Sequence, residues 1–185
     1  MASPGSQAFL IIAGASPAAL AFDDEAAFAS SIEPLLPLAF RLATGMLRNR
    51  DDAEDAVQEA ALKAWRKRST FHAGAEPRPW FLAIVANECR MARRRRVWLL
   101  FDRLKPNDTP LMSAAAEADQ AEQLRWALGR VDSKTRLVLV LRFYLDLSNE
   151  ELGRTLGISE AAARVRVHRA LGRLRPVIEV SEGAG

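Results

Sequence analysis

Apolar residues recur at spacings of three and four along almost the whole chain, and no alternating apolar–polar run persists. This period predicts helices over 23–48, 51–68, 77–97, 117–130, 133–145, 148–156 and 159–175. The run LVLVLRFYL, Leu137 to Leu145, is apolar enough to imitate a strand. Its continuation back to Asp132 and its place among helices assign it to a buried helix instead. Between Leu99 and Glu117, the sequence Pro106, Asn107, Asp108, Thr109, Pro110 breaks helical structure and marks a linker. The pattern therefore predicts an all-α chain: a flexible leader (1–22), a helical domain (23–98), a flexible linker (99–117), a second helical domain (118–178) and a tail (179–185).

The end of the second domain has the form of a helix-turn-helix. Ser148 with Glu151 three residues on gives the capping-box pattern, and Leu152 and Leu156 give that short helix an inward face. Gly157 closes it in a tight turn, and Ser159 caps the next helix. On that next helix Ala163, Val167, Ala170, Leu171 and Leu174 form the expected inward stripe. Ala161, Val165, His168 and Gly172 lie opposite, ringed by Arg164, Arg166, Arg169, Arg173 and Arg175. A face that is small at its centre and cationic at its margins suits a DNA major groove with phosphates on both sides. The competing reading is a basic helix whose arginines only keep it solvated.

In the first domain, Asp51, Asp52, Glu54, Asp55 and Glu59 open a helix that closes with Lys63, Arg66, Lys67 and Arg68. Acids first and bases last complement the helix dipole, but five acids in nine residues exceed that need. Asp55, Gln58, Glu59 and Leu62 share a face apart from Val57, Ala61 and Trp65, and that face could dock on a basic protein surface. A catalytic metal is disfavoured there, because ligands on one exposed helix face cannot converge. Next, Phe71 begins a glycine-containing loop, and Pro77 and Pro79 open a helix anchored by Trp80, Ile84 and Val85 that runs into Arg93, Arg94, Arg95 and Arg96. A loop aromatic beside an arginine run suits unpaired bases and their phosphates, whereas Trp80 reads as core.

Composition narrows the function. The 185 residues carry a net charge of +3, but residues 1–40 hold no Lys or Arg, while Arg90 to Lys105 carry seven positive charges and one negative. Such segregation suits two different kinds of partner. The single Cys89 excludes an internal disulfide and reads as a buried structural thiol. With only His72 and His168 besides, no metal site and no cofactor are expected. AFLIIAGASPAALAF faintly imitates a signal peptide but lacks a basic n-region and is interrupted by Gly14 and Pro17, so a cytoplasmic chain without membrane insertion is expected.

Taken in order, DDAEDAVQEAALKAW, PWFLAIVANECRMARRRR and LVLVLRFYLDLSNEELGRTLGISEAAARVRVHRALGRLR resemble the extracytoplasmic-function (group IV) sigma factors of the sigma-70 family, over about residues 25–176. The resemblance implies a sigma region 2-like domain at 23–98, a region 4-like domain at 118–178, and a factor that binds core RNA polymerase, recognises −35 and −10 elements and helps melt promoter DNA. By position, Asp55, Gln58 and Glu59 fall where the family contacts the polymerase β′ clamp, with Leu62 on the same face. Phe71 and Asn87 match positions lining a pocket for a flipped −10 base, with Arg93 to Arg96 on nearby phosphates. Arg164, Val165 and His168 match −35 base-reading positions, with Arg166 and Arg169 nearer the backbone and Ser159 at the helix start. Helices 133–145 and 148–156 would supply a groove for the polymerase β flap, and an anti-sigma factor is a further candidate partner.

Ala83, the stretch Ala161 to Ala163, and Val165 depart from the family's usual residues, which bears on the promoter sequence rather than the class. The chain ends about ten residues past the last expected helix, so no appended C-terminal domain is expected. Two rivals stand beside this reading: a conventional helix-turn-helix regulator, and a sigma-like adaptor that no longer melts DNA. An enzyme is the weakest rival, because no nucleophile, base and metal set converges.

Overall fold

The computed structural model describes residues 25–72, 74–102 and 126–182; the side chains of 96–102 and 179–182 fall outside that description. The expected leader, most of the linker and the first part of the 117–130 helix also lie outside the described residues. Every element among the described residues is helical.

The N-terminal half is built from α1 (Glu25–Ile32), α2 (Leu36–Leu47), α3 (Arg50–Arg66) and α4 (Pro77–Asp102). The single helix expected over 23–48 is interrupted by a 3-10 turn at Glu33–Leu35. Pro34 and Pro37 explain the break: each lacks an N–H and would clash within a continuous helix, so each sits in the first turn of a new one. α2 buries Ala39, Leu42, Ala43 and Met46, a single stripe at spacings of three and four. Arg48 ends it in the left-handed conformation (φ 58°), and Asn49 caps α3 by accepting from the Asp52 N–H at 2.8 Å. The inward face of α3 is mostly alanine (Ala53, Ala56, Ala60, Ala64, with Val57), which lets α2 and α4 pack closely on it. α4 answers with Phe81, Leu82, Val85, Ala86 and Cys89. One charge interrupts that apolar stripe. Glu88 is buried and accepts from the Lys63 ammonium at 2.6 Å, tying α3 to α4. α4 extends to Asp102, so the backbone is still helical where the linker was expected to begin.

In the C-terminal half a helical stretch at 126–130 leads to α5 (Ser133–Leu139), α6 (Asn149–Leu156) and α7 (Glu160–Glu182). The expected 133–145 helix is α5 followed by one π-type turn, Val140–Tyr144, after which Leu145 and Leu147 donate backward to Val140 and Leu141. Ser148 and Glu151 close the capping box reciprocally, at 3.1 and 2.8 Å. The α6–α7 turn needs glycine twice. Gly157 has φ 65°, and a Cβ on Gly153 would lie 2.8 Å from the Ile158 carbonyl. α7 runs seven residues beyond the expected end at 175, carrying Pro176 within it.

The two halves do not stand apart. α2 packs on the π-type turn, where Gly45 leaves room for Val140, and α4 packs on α6. Among the described residues five polar links cross the seam: Arg78–Glu151 at 2.8 Å, Arg78 to the Leu145 carbonyl at 3.3 Å, Arg154–Glu76 at 2.8 Å, Arg41 to the Tyr144 carbonyl, and Arg136 to the Met46 carbonyl at 3.3 Å. Arg136 is only 4% exposed, and none of the ion pairs among the described residues involves it. It donates instead to the carbonyls of Leu128, Gly129, Val131 and Met46. Burial, with Arg93 and Arg48 close by, pulls its pKa down to about 10.

Replacing Arg136 by Met leaves those carbonyls without donors, a loss of about 2–4 kcal/mol in urea unfolding. Arg136→Lys should recover only part, because an ammonium cannot span the same fork. A Met variant as stable as the parent would contradict this placement of Arg136.

Candidate nucleic-acid and protein interface

Three surfaces carry the residues singled out above. On α3, Asp55 and Gln58 are exposed, Glu59 is half-buried 3.5 Å from Lys63, and Leu62 is 51% exposed, all turned away from the alanine face. The helix thus separates a small apolar face for packing from a polar face that leaves a large leucine in water.

On α4, Asn87, Arg94 and Arg95 are exposed, while Arg93 is half-buried. The Arg93 Nη1 is itself buried and has no hydrogen-bond partner among the described residues. The side chain of Arg96 lies outside the described residues. Phe71 departs from expectation: it is 3% exposed and its ring packs on Trp80 at 5.0 Å, tilted by 54°. The physical reason is apolar burial. Beside a proline-rich helix start, the ring removes more surface from water against Trp80 than on the loop exterior. As placed, Phe71 offers no free ring to a base, and Asn87 is the member of that pair that faces outward. Nearby, burial pushes the Cys89 thiol up to about 12, the chemistry of an inert core cysteine.

On α7, Ser159 accepts from the Ala162 N–H at 3.2 Å and starts the helix. Ala163, Ala170 and Leu174 are buried and Val167 is half-buried. Leu171, expected in this stripe, is 43% exposed. The stripe is narrower than expected, because small residues bring α7 close to α5 and α6 and leave no room for one further position round. Outward stand Arg164 (3.3 Å from Glu160), Val165 (49% exposed), Arg166, His168 and Arg169.

Asp132 fixes the start of α5 and its tie to α7. Its carboxylate accepts from the Lys134 and Thr135 N–H groups, from the Thr135 hydroxyl, and from Arg173 at 3.1 Å. Glu88, Arg78, Arg136 and the Glu76–Arg154 pair are the structural residues that pattern reading missed. The signal for two of them was present: Arg136 and Glu88 are charges set at the period of an apolar stripe. Among the described residues no group of three or more His, Cys, Asp or Glu gathers as metal ligands, and no helix is long and apolar enough to cross a membrane.

The Sigma-70 region 2 model matches residues 32–99 and the Sigma-70, region 4 model matches residues 127–176. RNA polymerase sigma factor CarQ of Myxococcus xanthus is 35% identical over 139 residues, spanning 72% of this chain and 78% of that protein. The ECF RNA polymerase sigma factor SigL of Mycobacterium tuberculosis is 29% identical over 148 residues, 76% of this chain and 82% of its own. The fold is shared with the sigma factor RpoE, solved in complex with the anti-sigma factor NepR from Bartonella quintana (TM-score 0.68, 24% identity, 83% of this chain and 97% of that one). It is also shared with CnrH, solved in complex with the cytosolic domain of CnrY (TM-score 0.63, 23% identity, 85% and 91%). Paired region 2 and region 4 helices define a transcription-initiation factor. The chain belongs to the sigma-70 family, in its extracytoplasmic-function class, and its function is promoter-specific initiation with core RNA polymerase. Sigma factors in general are not catalytic enzymes.

The donors around Asp132, the Thr135 hydroxyl first, hold its carboxyl below the ordinary range despite some burial. A depressed folded pKa adds stability that is complete above the unfolded value of about 4 and is lost as pH falls through the folded one. Asp132→Asn should therefore flatten the acid limb of stability against pH below about 4 while lowering stability at neutrality. An unchanged acid limb in urea titrations would contradict that role.

Proposed function

We propose that the two halves divide promoter recognition and polymerase binding between the three surfaces described. The domain spanning 23–98 carries the polymerase and −10 functions, and that spanning 118–178 carries −35 recognition. The observation that bears most weight is the two-sided character of α3, alanine inward and Asp55, Gln58, Glu59 and Leu62 outward. An acidic rim around an exposed leucine suits a basic protein surface with an apolar centre, as the polymerase β′ clamp would supply. On α4, Asn87 offers hydrogen bonds to an extruded −10 base, and Arg93, Arg94, Arg95 and Arg96 neutralise the adjoining phosphates. Phe71 takes a supporting part, setting the course of the loop from the core side.

On α7, Arg164, Val165 and His168 meet −35 bases, while Arg166 and Arg169 meet backbone phosphates. Val165 can pack on a thymine methyl but offers no hydrogen bond, so discrimination there rests on Arg164 and His168. The β-flap groove would form on α5 and α6. α4 packs on α6 in the arrangement described, so flap binding there requires the halves to part. No residue here carries a chemical step; the chain acts by binding, in the cytoplasm where polymerase works. An anti-sigma factor remains a candidate partner, supported by the company in which its structural relatives were solved.

Reversal of both Asp55 and Glu59 to Lys should abolish association with core polymerase and leave helical circular dichroism unchanged. Asp55 is exposed and the Glu59–Lys63 pair is partly exposed, so these carboxylates contribute about 0–1 kcal/mol each to stability, which makes folding the internal control. Co-purification of the double variant with core enzyme at parental yield would refute the assignment.

A further inference from the structure

Between the two halves lies a cleft of about 560 Å³. Its walls carry Arg90 from α4, Lys134 from α5 and Arg166, Arg169 and Arg173 from α7, with Asn87 beside Arg90 and no carboxylate among the lining residues. Only Arg173 of the five has a carboxylate close by, Asp132 at 3.1 Å, among the described ion pairs. The adjoining seam is no better neutralised. Arg48 and Arg93 both press positive charge on buried Arg136, and the Arg93 Nη1 is buried without a partner. Among the described residues, the two ion pairs that cross the seam, Arg78–Glu151 and Arg154–Glu76, use other residues.

Packing the halves together therefore brings like charges from three helices around one volume. A bound anion of several charges relieves that repulsion. Guanidinium forks favour phosphate geometry, and the volume falls in the range of small-molecule sites. We propose that this cleft binds a compact polyphosphate, a triphosphate chain either inorganic or on a nucleotide, and that binding holds the two halves together. The anion touches both halves only when they are packed, so its free energy shifts the balance toward the packed state. Arg166, Arg169 and Asn87 are then withdrawn from promoter DNA. Binding itself needs only the facing cations and stands apart from the promoter assignments.

Calorimetric titration of the full chain with sodium tripolyphosphate, and separately with GTP, at constant ionic strength without Mg²⁺ tests this. One site per chain is expected, weakened about tenfold by Arg90→Ala and by Lys134→Ala, each the loss of a charged hydrogen-bond donor. Lys67→Ala, the same charge change at an exposed site off the cleft, should bind as the parent does. Glu76→Arg adds positive charge but sets Glu76's position against Arg154, so it should weaken a site spanning both halves; diffuse attraction would instead grow stronger. Equal affinity for both probes supports recognition of phosphates alone, and tighter GTP binding supports added nucleoside contacts. Multiple weak sites, equal losses in Lys67→Ala and Arg90→Ala, or tighter binding by Glu76→Arg would overturn the proposal.

Discussion

A single guanidinium sets the terms on which this chain is packed. Burying a charge without an opposite charge is costly unless its donors are met, and Arg136 meets that condition with four backbone carbonyls. Three of them belong to the segment that carries the chain into α5, so Arg136 fixes the first turn of the C-terminal half. The fourth, from Met46, belongs to the end of α2, where the helix dipole favours a cation. The same residue that organises one half thereby reaches the other. Gly45 against Val140, and Gly129 against the Arg48 guanidinium, show how closely the backbones approach around it.

Much of this was legible from periodicity. The helix-turn-helix could be read because each device in it is local: the capping box of Ser148 and Glu151, the left-handed Gly157, and the Ser159 cap all act within four residues. The acidic face of α3 was equally local. What escaped was non-local or competitive. Phe71 reads as a surface aromatic until Trp80, nine residues on, offers it a burial partner. Pro34 and Pro37 were overridden by a strong apolar period, and the backbone obeyed the prolines. Leu171 sits one position beyond a stripe whose width depends on how near the neighbouring helices come. The seam between the halves could not be read at all, since Arg78, Arg154 and Arg136 resemble ordinary solvated bases until their partners are placed.

The packed arrangement treats the chain's surfaces unequally. The polar face of α3 stays open, whereas α6 is covered by α4, and Asn87, Arg166 and Arg169 line a cleft shared with the opposite half. On the proposed assignments, a protein in this state would meet polymerase through its N-terminal half before the elements assigned to DNA are spread along a promoter. The seam is suited to such separation. Its ion pairs are partly exposed, worth about 1 kcal/mol or less each, and its guanidiniums repel one another.

Distance measurement across the seam addresses this most directly. Ser69 and Arg175 are exposed, one in each half, and cysteines there accept spin labels, while buried Cys89, with its thiol pushed up to about 12, stays unreactive. In the free chain a single short distance distribution is expected, moving to a longer one when core polymerase and promoter DNA are added. A distribution unchanged in a complex that initiates transcription would show that the halves work without parting, contrary to this account.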